Sequence, residues 1–160
     1  MDFTGQPAPN FALKAHTGED VTLEQFRGSK NVLLIFYPLD FSPTCSMQLP
    51  EFSAMKEDFD ALDTVILGIN RDSAWTHKAW VREYGIEVPL LSDMLLETAK
   101  NYGVQIAERG VSKRATFVID KAGIVVLQHV ETNTGDFTLH ADDVLEKMKT
   151  LGSSSLERTG

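Results

Sequence analysis

The chain reads as an α/β protein: a mixed central sheet with helices on both faces and a β-hairpin at its start. Three observations predict this. The apolar runs Val32–Tyr37 and Thr64–Ile69 lack the polar alternation of half-exposed strands, so they read as strands buried on both faces. Each is followed by a segment with helical potential, Thr44–Leu62 and Ser73–Tyr84. Finally, Arg114–Asp120 and Ile124–Val130 are joined by Lys121-Ala122-Gly123 alone and must fold back antiparallel, which makes the sheet mixed.

Taken in order, Phe11–Lys14 and Asp20–Leu23 flank Ala15-His16-Thr17-Gly18-Glu19 and predict a hairpin turned at Gly18. Glu24–Arg27 forms a brief turn, which Gly28-Ser29-Lys30 ends before the first buried strand. After Cys45, Leu49, Phe52, Met55 and Phe59 recur at three- and four-residue steps, predicting a helix from Thr44 to Leu62 with a kink or irregular start at Pro50. Ser73 is a good N-cap for the next helix, and Gly85 stops it after Tyr84. Ser92 or Asp93 caps a shorter helix through Lys100, ended near Gly103, while Gln105–Lys113 has no clear period and reads as a loop. The last helix is expected from Thr138 to Leu151, with Ala141, Val144, Leu145 and Met148 on its apolar face.

A chain of 160 residues suffices for one well-packed core, so residues 1–151 are expected to form a single domain. Residues 152–160, opening on Gly152-Ser153-Ser154-Ser155, read as a disordered tail of the kind expression vectors add. The formal net charge of −8 repels nucleic acid and anionic membrane, and no basic run offsets it. No apolar stretch is long enough to span a bilayer, and Met1-Asp2-Phe3-Thr4-Gly5 lacks the basic start and apolar core of a signal peptide, which predicts a cytoplasmic protein. The four histidines, His16, His77, His129 and His140, show none of the short spacings of a zinc site, and there is no glycine-rich phosphate loop. Neither a metal nor a cofactor is expected.

The chemistry is expected at Cys45, the only cysteine in the sequence. It falls where a buried strand crosses into a helix, the end of the sheet at which open α/β folds bind their ligands. A lone cysteine is most often a small buried hydrophobe. Here, however, the first turn of a helix offers unpaired backbone N–H groups and the positive end of a dipole, both of which favour thiolate over thiol. With one cysteine the chain can form no intrachain disulfide and is compatible with a reducing compartment. Ser42 and Thr44 have the hydroxyls of helix-capping residues, and Pro38 terminates the strand. An arginine beside a strand, such as Arg114, is normally a solvated charge, and nothing in the spacing brings it to Cys45. His77 and Trp80, at i and i+3, read as a packed helix face rather than a ligand site.

Three segments carry a resemblance. Pro38, Ser42 and Cys45 fit the pattern P-x-x-x-[TS]-x-x-C, Arg114–Ile119 fits R-x-T-F-V-I, and Gly5–Phe11 fits G-x-x-A-P-x-F. With these motifs the chain resembles the peroxiredoxins of the AhpC/TSA superfamily from Gly5 to Leu151. Thr76-His77-Lys78-Ala79-Trp80 and Pro89-Leu90-Leu91-Ser92-Asp93 are similar to the one-cysteine alkyl hydroperoxide reductase E branch, near the bacterioferritin-comigratory proteins. The resemblance implies a thioredoxin-like fold, a homodimer, and a peroxidase whose Cys45 thiolate attacks a hydroperoxide and becomes a sulfenic acid. An external thiol would recycle it: a thioredoxin, a glutaredoxin-like protein or a low-molecular-weight thiol. The resemblance also implies that Arg114 stands beside Cys45 and stabilises the thiolate and the departing oxygen, that Ser42 orients the peroxide, and that Pro38 shields the sulfur from water. Gln48 stands where many relatives carry glutamate, so the hydrogen bonds of that glutamate are not carried over.

Two other readings use the same cysteine. A thioredoxin-like disulfide oxidoreductase needs a C-x-x-C pair, which Pro43-Thr44-Cys45 does not provide. A redox-sensing interaction protein would signal through a mixed disulfide at sulfenylated Cys45, without turnover.

Overall fold

The apolar run after Lys30 forms the centre of a seven-stranded sheet in the computed structural model, which describes residues 1–152. The strands are β1 (Ala12–Ala15), β2 (Asp20–Thr22), β3 (Asn31–Phe36), β4 (Thr64–Asn70), β5 (Leu90–Ser92), β6 (Gln105–Ile106), β7 (Val111–Ser112), β8 (Ala115–Ile119) and β9 (Val125–Val130). The helices are α1 (Cys45–Ala54), α2 (Lys56–Asp60), α3 (Ala74–Tyr84), α4 (Glu97–Asn101) and α5 (Ala141–Gly152). The main sheet has the order β2-β1-β5-β4-β3-β8-β9, while β6 and β7 pair separately. Pairing is parallel between β3 and β4 and between β4 and β5, and antiparallel elsewhere.

All six residues of β3 are buried, and they divide by parity. Val32, Leu34 and Phe36 pack with Phe11, Tyr102 and Phe117, whereas Leu33, Ile35 and the following Tyr37 pack with Phe52, Phe59, Trp80, Val144 and Met148. A strand apolar on both faces needs cover on both, each such side chain contributing about 1.5–3 kcal/mol on burial. The cover comes from α1, α2, α3 and α5 on one face, and from α4 with the N-terminal segment on the other. Gly68 in β4 brings α1 close: a Cβ there would lie 3.2 Å from Leu49 Cδ1 and 2.6 Å from Leu90 Cδ2. Leu49 is one turn beyond Cys45, so this contact sets the height of the helix that carries the cysteine.

Local signals place several elements where the sequence predicts them. Ser73 Oγ accepts from Thr76 N–H at 3.2 Å, and Gly85 ends α3 in the left-handed region at φ 64°. Elsewhere the structure differs. The segment after Cys45 is two helices: α1 runs unbroken through Pro50 and ends at Met55. There Met55 N–H bonds Phe52 O at 3.1 Å, a tightened last turn that takes the chain out of α-helical register. Gln105–Lys113 contains the small β6–β7 hairpin, whose two-residue strands are too short to show a period. β5, unassigned from the sequence for the same reason, joins β1 to β4.

Asp93 does serve α4, its carboxylate accepting from Thr98 and Ala99 N–H at 3.2 and 3.0 Å. The last helix starts at Ala141 rather than Thr138, whose N–H goes to the Glu131 carboxylate at 2.8 Å. His140 then becomes the N-cap: its carbonyl accepts from Val144 N–H at 3.1 Å, and Asp143 reaches back to its N–H at 3.0 Å. α5 continues through Gly152, so the expected tail is helical at its first residue, and residues 153–160 lie outside the described residues.

Glu51 of α1 docks α5, accepting from Ala141 N–H at 2.9 Å and pairing with His140 Nδ1 at 3.1 Å. That hydrogen bond raises the His140 titration above the ordinary imidazole value of 6.5. A raised folded-state value contributes stability that is complete below the unfolded value and lost as pH rises through the folded one. Both side chains are partly exposed, so the contribution is below about 1 kcal/mol. Urea midpoints are expected to fall slightly as pH rises above the ordinary imidazole value of 6.5, and less so in His140→Gln. Identical slopes in the two proteins would remove this linkage.

Candidate active site

The crossing from β3 to α1 spans Tyr37–Thr44, with Tyr37, Pro38 and Asp40 buried. Helical bonding begins within it, as Ser42 O accepts from Ser46 N–H at 2.9 Å and Thr44 O from Gln48 N–H at 3.0 Å. Cys45 therefore sits in the first turn, at the positive end of the helix dipole, and it is fully buried.

Arg114 immediately precedes β8, and the antiparallel register sets Ala115 opposite Phe36. One further step along β8 places Arg114 past the end of β3, at the same end of the sheet as the crossing. Its guanidinium is buried, and four of its five N–H groups point at acceptors. Nη2 donates to Cys45 Sγ at 3.2 Å and to Thr134 O at 2.8 Å, Nη1 to Gln48 Oε1 at 2.7 Å, and Nε to Thr134 O at 3.1 Å. A planar fork suits this set of acceptors in a way a lysine ammonium does not. The Gln48 amide oxygen thus takes the arginine bond without adding a negative charge beside the sulfur. Lys113, next to it, is exposed.

Neither hydroxyl caps α1. Ser42 Oγ donates to Leu39 O at 2.9 Å, and Thr44 Oγ1 to Gly135 O at 3.0 Å. The loop after β9 therefore grips the site twice, Thr134 through Arg114 and Gly135 through Thr44. Nothing in the sequence marks this loop, because it contributes backbone carbonyls rather than side chains. His77 and Trp80 are buried as a packed face, Trp80 Nε1 donating to Ser46 Oγ at 3.2 Å. Leu39, Phe41 and Met47, all exposed, lie in the crossing and the first turn of α1. Among the described residues no cluster of His, Cys, Asp and Glu could hold a metal, and no helix is long and apolar enough to cross a membrane.

A nucleophilic sulfur at a helix start, hydrogen-bonded to a fixed cation, is equipped to attack an electrophilic atom and to stabilise the charge that leaves. The chain is similar to known proteins in sequence and in fold. The AhpC/TSA family matches residues 4–128. The chain is 35% identical over 161 residues to the chloroplastic 2-Cys peroxiredoxin BAS1 of Hordeum vulgare, covering 94% of this chain and 76% of that protein. It spans 60% of the corresponding proteins of Spinacia oleracea and Arabidopsis thaliana. It is 38% identical over 123 residues to alkyl hydroperoxide reductase E of Mycobacterium bovis, covering 76% of this chain and 80% of that protein. The crystal structure of the reduced 2-Cys peroxiredoxin of Plasmodium vivax superposes with a TM-score of 0.85 at 32% identity, covering 95% of this chain and 98% of that one. The sheet and helices are accordingly those of the thioredoxin-like fold, and the chain belongs to the AhpC/TSA family of peroxiredoxins.

Proposed function

We propose that this chain is a one-cysteine, thiol-dependent peroxidase that reduces hydrogen peroxide and organic hydroperoxides. The observation that carries the reading is the 3.2 Å bond from Arg114 to Cys45 Sγ at the start of α1. A guanidinium stays charged at any working pH, so the sulfur faces a permanent positive charge. The Cys45 thiolate attacks the outer oxygen of the hydroperoxide, and the S–O bond forms as the O–O bond breaks. The departing oxygen takes a proton and leaves as water or an alcohol, its developing charge held by Arg114 and the Cys45 backbone N–H. Ser42, whose own proton goes to Leu39, keeps lone pairs with which to accept the peroxide hydrogen. Pro38, buried in the crossing, keeps bulk water from the sulfur.

The sulfenic acid then condenses with an external thiol, releasing water and forming a mixed disulfide, and a second thiol displaces Cys45. With one cysteine in these 160 residues, the recycling thiol comes from another molecule: a thioredoxin, a glutaredoxin-like protein or a small thiol. The peroxidase acts as a cytoplasmic homodimer, residues 1–151 forming one domain.

Intact mass spectrometry tests the cycle. With one equivalent of peroxide and no thiol, the mass should rise by one oxygen and a sulfenic-acid trap should label Cys45. A small thiol should restore the starting mass, and excess peroxide should drive Cys45 on to sulfinic acid. Rapid, quantitative formation of a disulfide dimer at low protein concentration would replace external recycling with resolution between two chains. Absence of any peroxide-dependent change would end the peroxidase reading.

A further inference from the structure

Asp40 lies in the crossing, two residues before Ser42 and five before Cys45, and it is buried. A buried carboxyl group is tolerated when it is paired and hydrogen-bonded. Asp40 is both. The Tyr37 hydroxyl and Asn70 Nδ2 donate to Oδ1 at 2.7 and 3.1 Å, and His77 Nδ1 of α3 lies 2.5 Å from Oδ2. Asp40 N–H goes to Asp72 Oδ2 at 2.7 Å, and Asp72 N–H to Asn70 Oδ1 at 2.8 Å. Burial, with the Asp40 charge, pushes the Tyr37 phenol well above its usual range, which keeps it a donor.

His77 is fully buried, and its Nε2 is 3.1 Å from Leu91 O of β5. A carbonyl can only accept, so Nε2 carries a hydrogen. One proton is then left between Nδ1 and Oδ2, and the pair is neutral overall whichever atom holds it. Every nitrogen and oxygen of the two side chains that faces the pair's surroundings has a partner, from β3's end, β4, α3 and β5. Local preference would not hold the loop in place: Phe41, next to Asp40, has φ 67°, a left-handed conformation that is unfavourable for a non-glycine residue.

We propose that Asp40 and His77 are positioning residues for the peroxidase. The pair ties the loop to α3, β4 and β5, and so holds Ser42 and the first turn of α1 in the geometry that peroxide attack on Cys45 requires. The proposal rests on the peroxidase reading, and both residues act through the loop rather than on the sulfur.

Rapid mixing with hydrogen peroxide, with rates referred to titrated reactive thiol, tests this. In Asp40→Ala the oxidation rate constant is expected to fall about 10- to 100-fold, as for a misplacement on the order of an ångström. Reduction of preformed sulfenic acid by dithiothreitol should stay within about twofold, since that step does not need the peroxide geometry. Asp40→Asn should recover most of the rate: its oxygen still accepts from Tyr37 and Asn70, and its amide N–H donates to a neutral His77 Nδ1. His77→Ala should resemble Asp40→Ala, and the double variant should be no slower than either single one. Simple destabilisation would lower the melting temperature but not the oxidation rate constant of the folded protein. The pair's role is overturned by a wild-type oxidation rate in Asp40→Ala, by Asp40→Asn as slow as Asp40→Ala, or by equal slowing of both half-reactions. Tyr37→Phe, which removes one tie while filling the same space, should be severalfold slower and decides the matter if Asp40→Ala does not fold. A wild-type protein inert to peroxide would take both readings down, whereas a reactive wild type with unaffected variants removes the pair alone.

Discussion

Replacing Cys45 by serine is expected to reduce peroxide consumption to the uncatalysed background while leaving the fold in place. The hydroxyl nearly matches the thiol in size, so the buried position is not emptied, and it can accept the Arg114 hydrogen bond that Sγ now takes at 3.2 Å. What it lacks is acidity and nucleophilicity, since a serine hydroxyl without an adjacent general base stays protonated. Circular dichroism and thermal melting should therefore resemble the wild type, and a peroxide assay with any added thiol should show no turnover. Turnover near the wild-type rate would mean that the chemistry lies elsewhere.

Arg114→Ala is expected to slow oxidation of Cys45 by about 10²–10³-fold, the range found when one preorganised donor to a developing oxyanion is removed. It should also destabilise the protein. Gln48 Oε1 and Thr134 O lose their donor, and the Gln48 oxygen, buried and left unpaired, costs about 1–3 kcal/mol. Arg114→Lys keeps the charge, but an ammonium cannot reproduce a planar fork that reaches Sγ, Gln48 and Thr134 together, so an intermediate rate is expected. Stopped-flow oxidation and a thermal melt separate the two effects, and Gln48→Ala provides the comparison, since it disturbs packing while leaving the arginine beside the sulfur. An unchanged rate constant in folded Arg114→Ala would mean that the cation only supports the fold.

These two residues also mark the boundary of what the sequence discloses. The position of Cys45 at the start of α1 is legible from its neighbours, because a strand apolar on both faces, a proline and a following helical period all lie within a few residues of it. The same local logic located the Ser73 cap and the Gly85 stop of α3. It failed for β5, β6 and β7, whose two or three residues cannot display a period, and for the Met55 break, which tightens a turn without a glycine or proline at the site.

Arg114 and Cys45 are 69 residues apart, and their meeting depends on the Ala115–Phe36 register. From spacing alone the arginine reads as surface, and the family motif was needed to suggest otherwise. Asp40 and His77 are the harder case. Their residue types are ordinary for a loop and a helix face, and the bond between them exists because α3 returns over β4 and β5 to the start of α1. The sequence by itself determined where strands and helices with strong local signals begin and end, and that the cysteine would stand at a crossing between them. Tertiary structure alone decided which distant polar groups meet there, because strand register and helix placement follow from filling two apolar clusters on either side of one sheet, and that packing is settled by the whole chain at once.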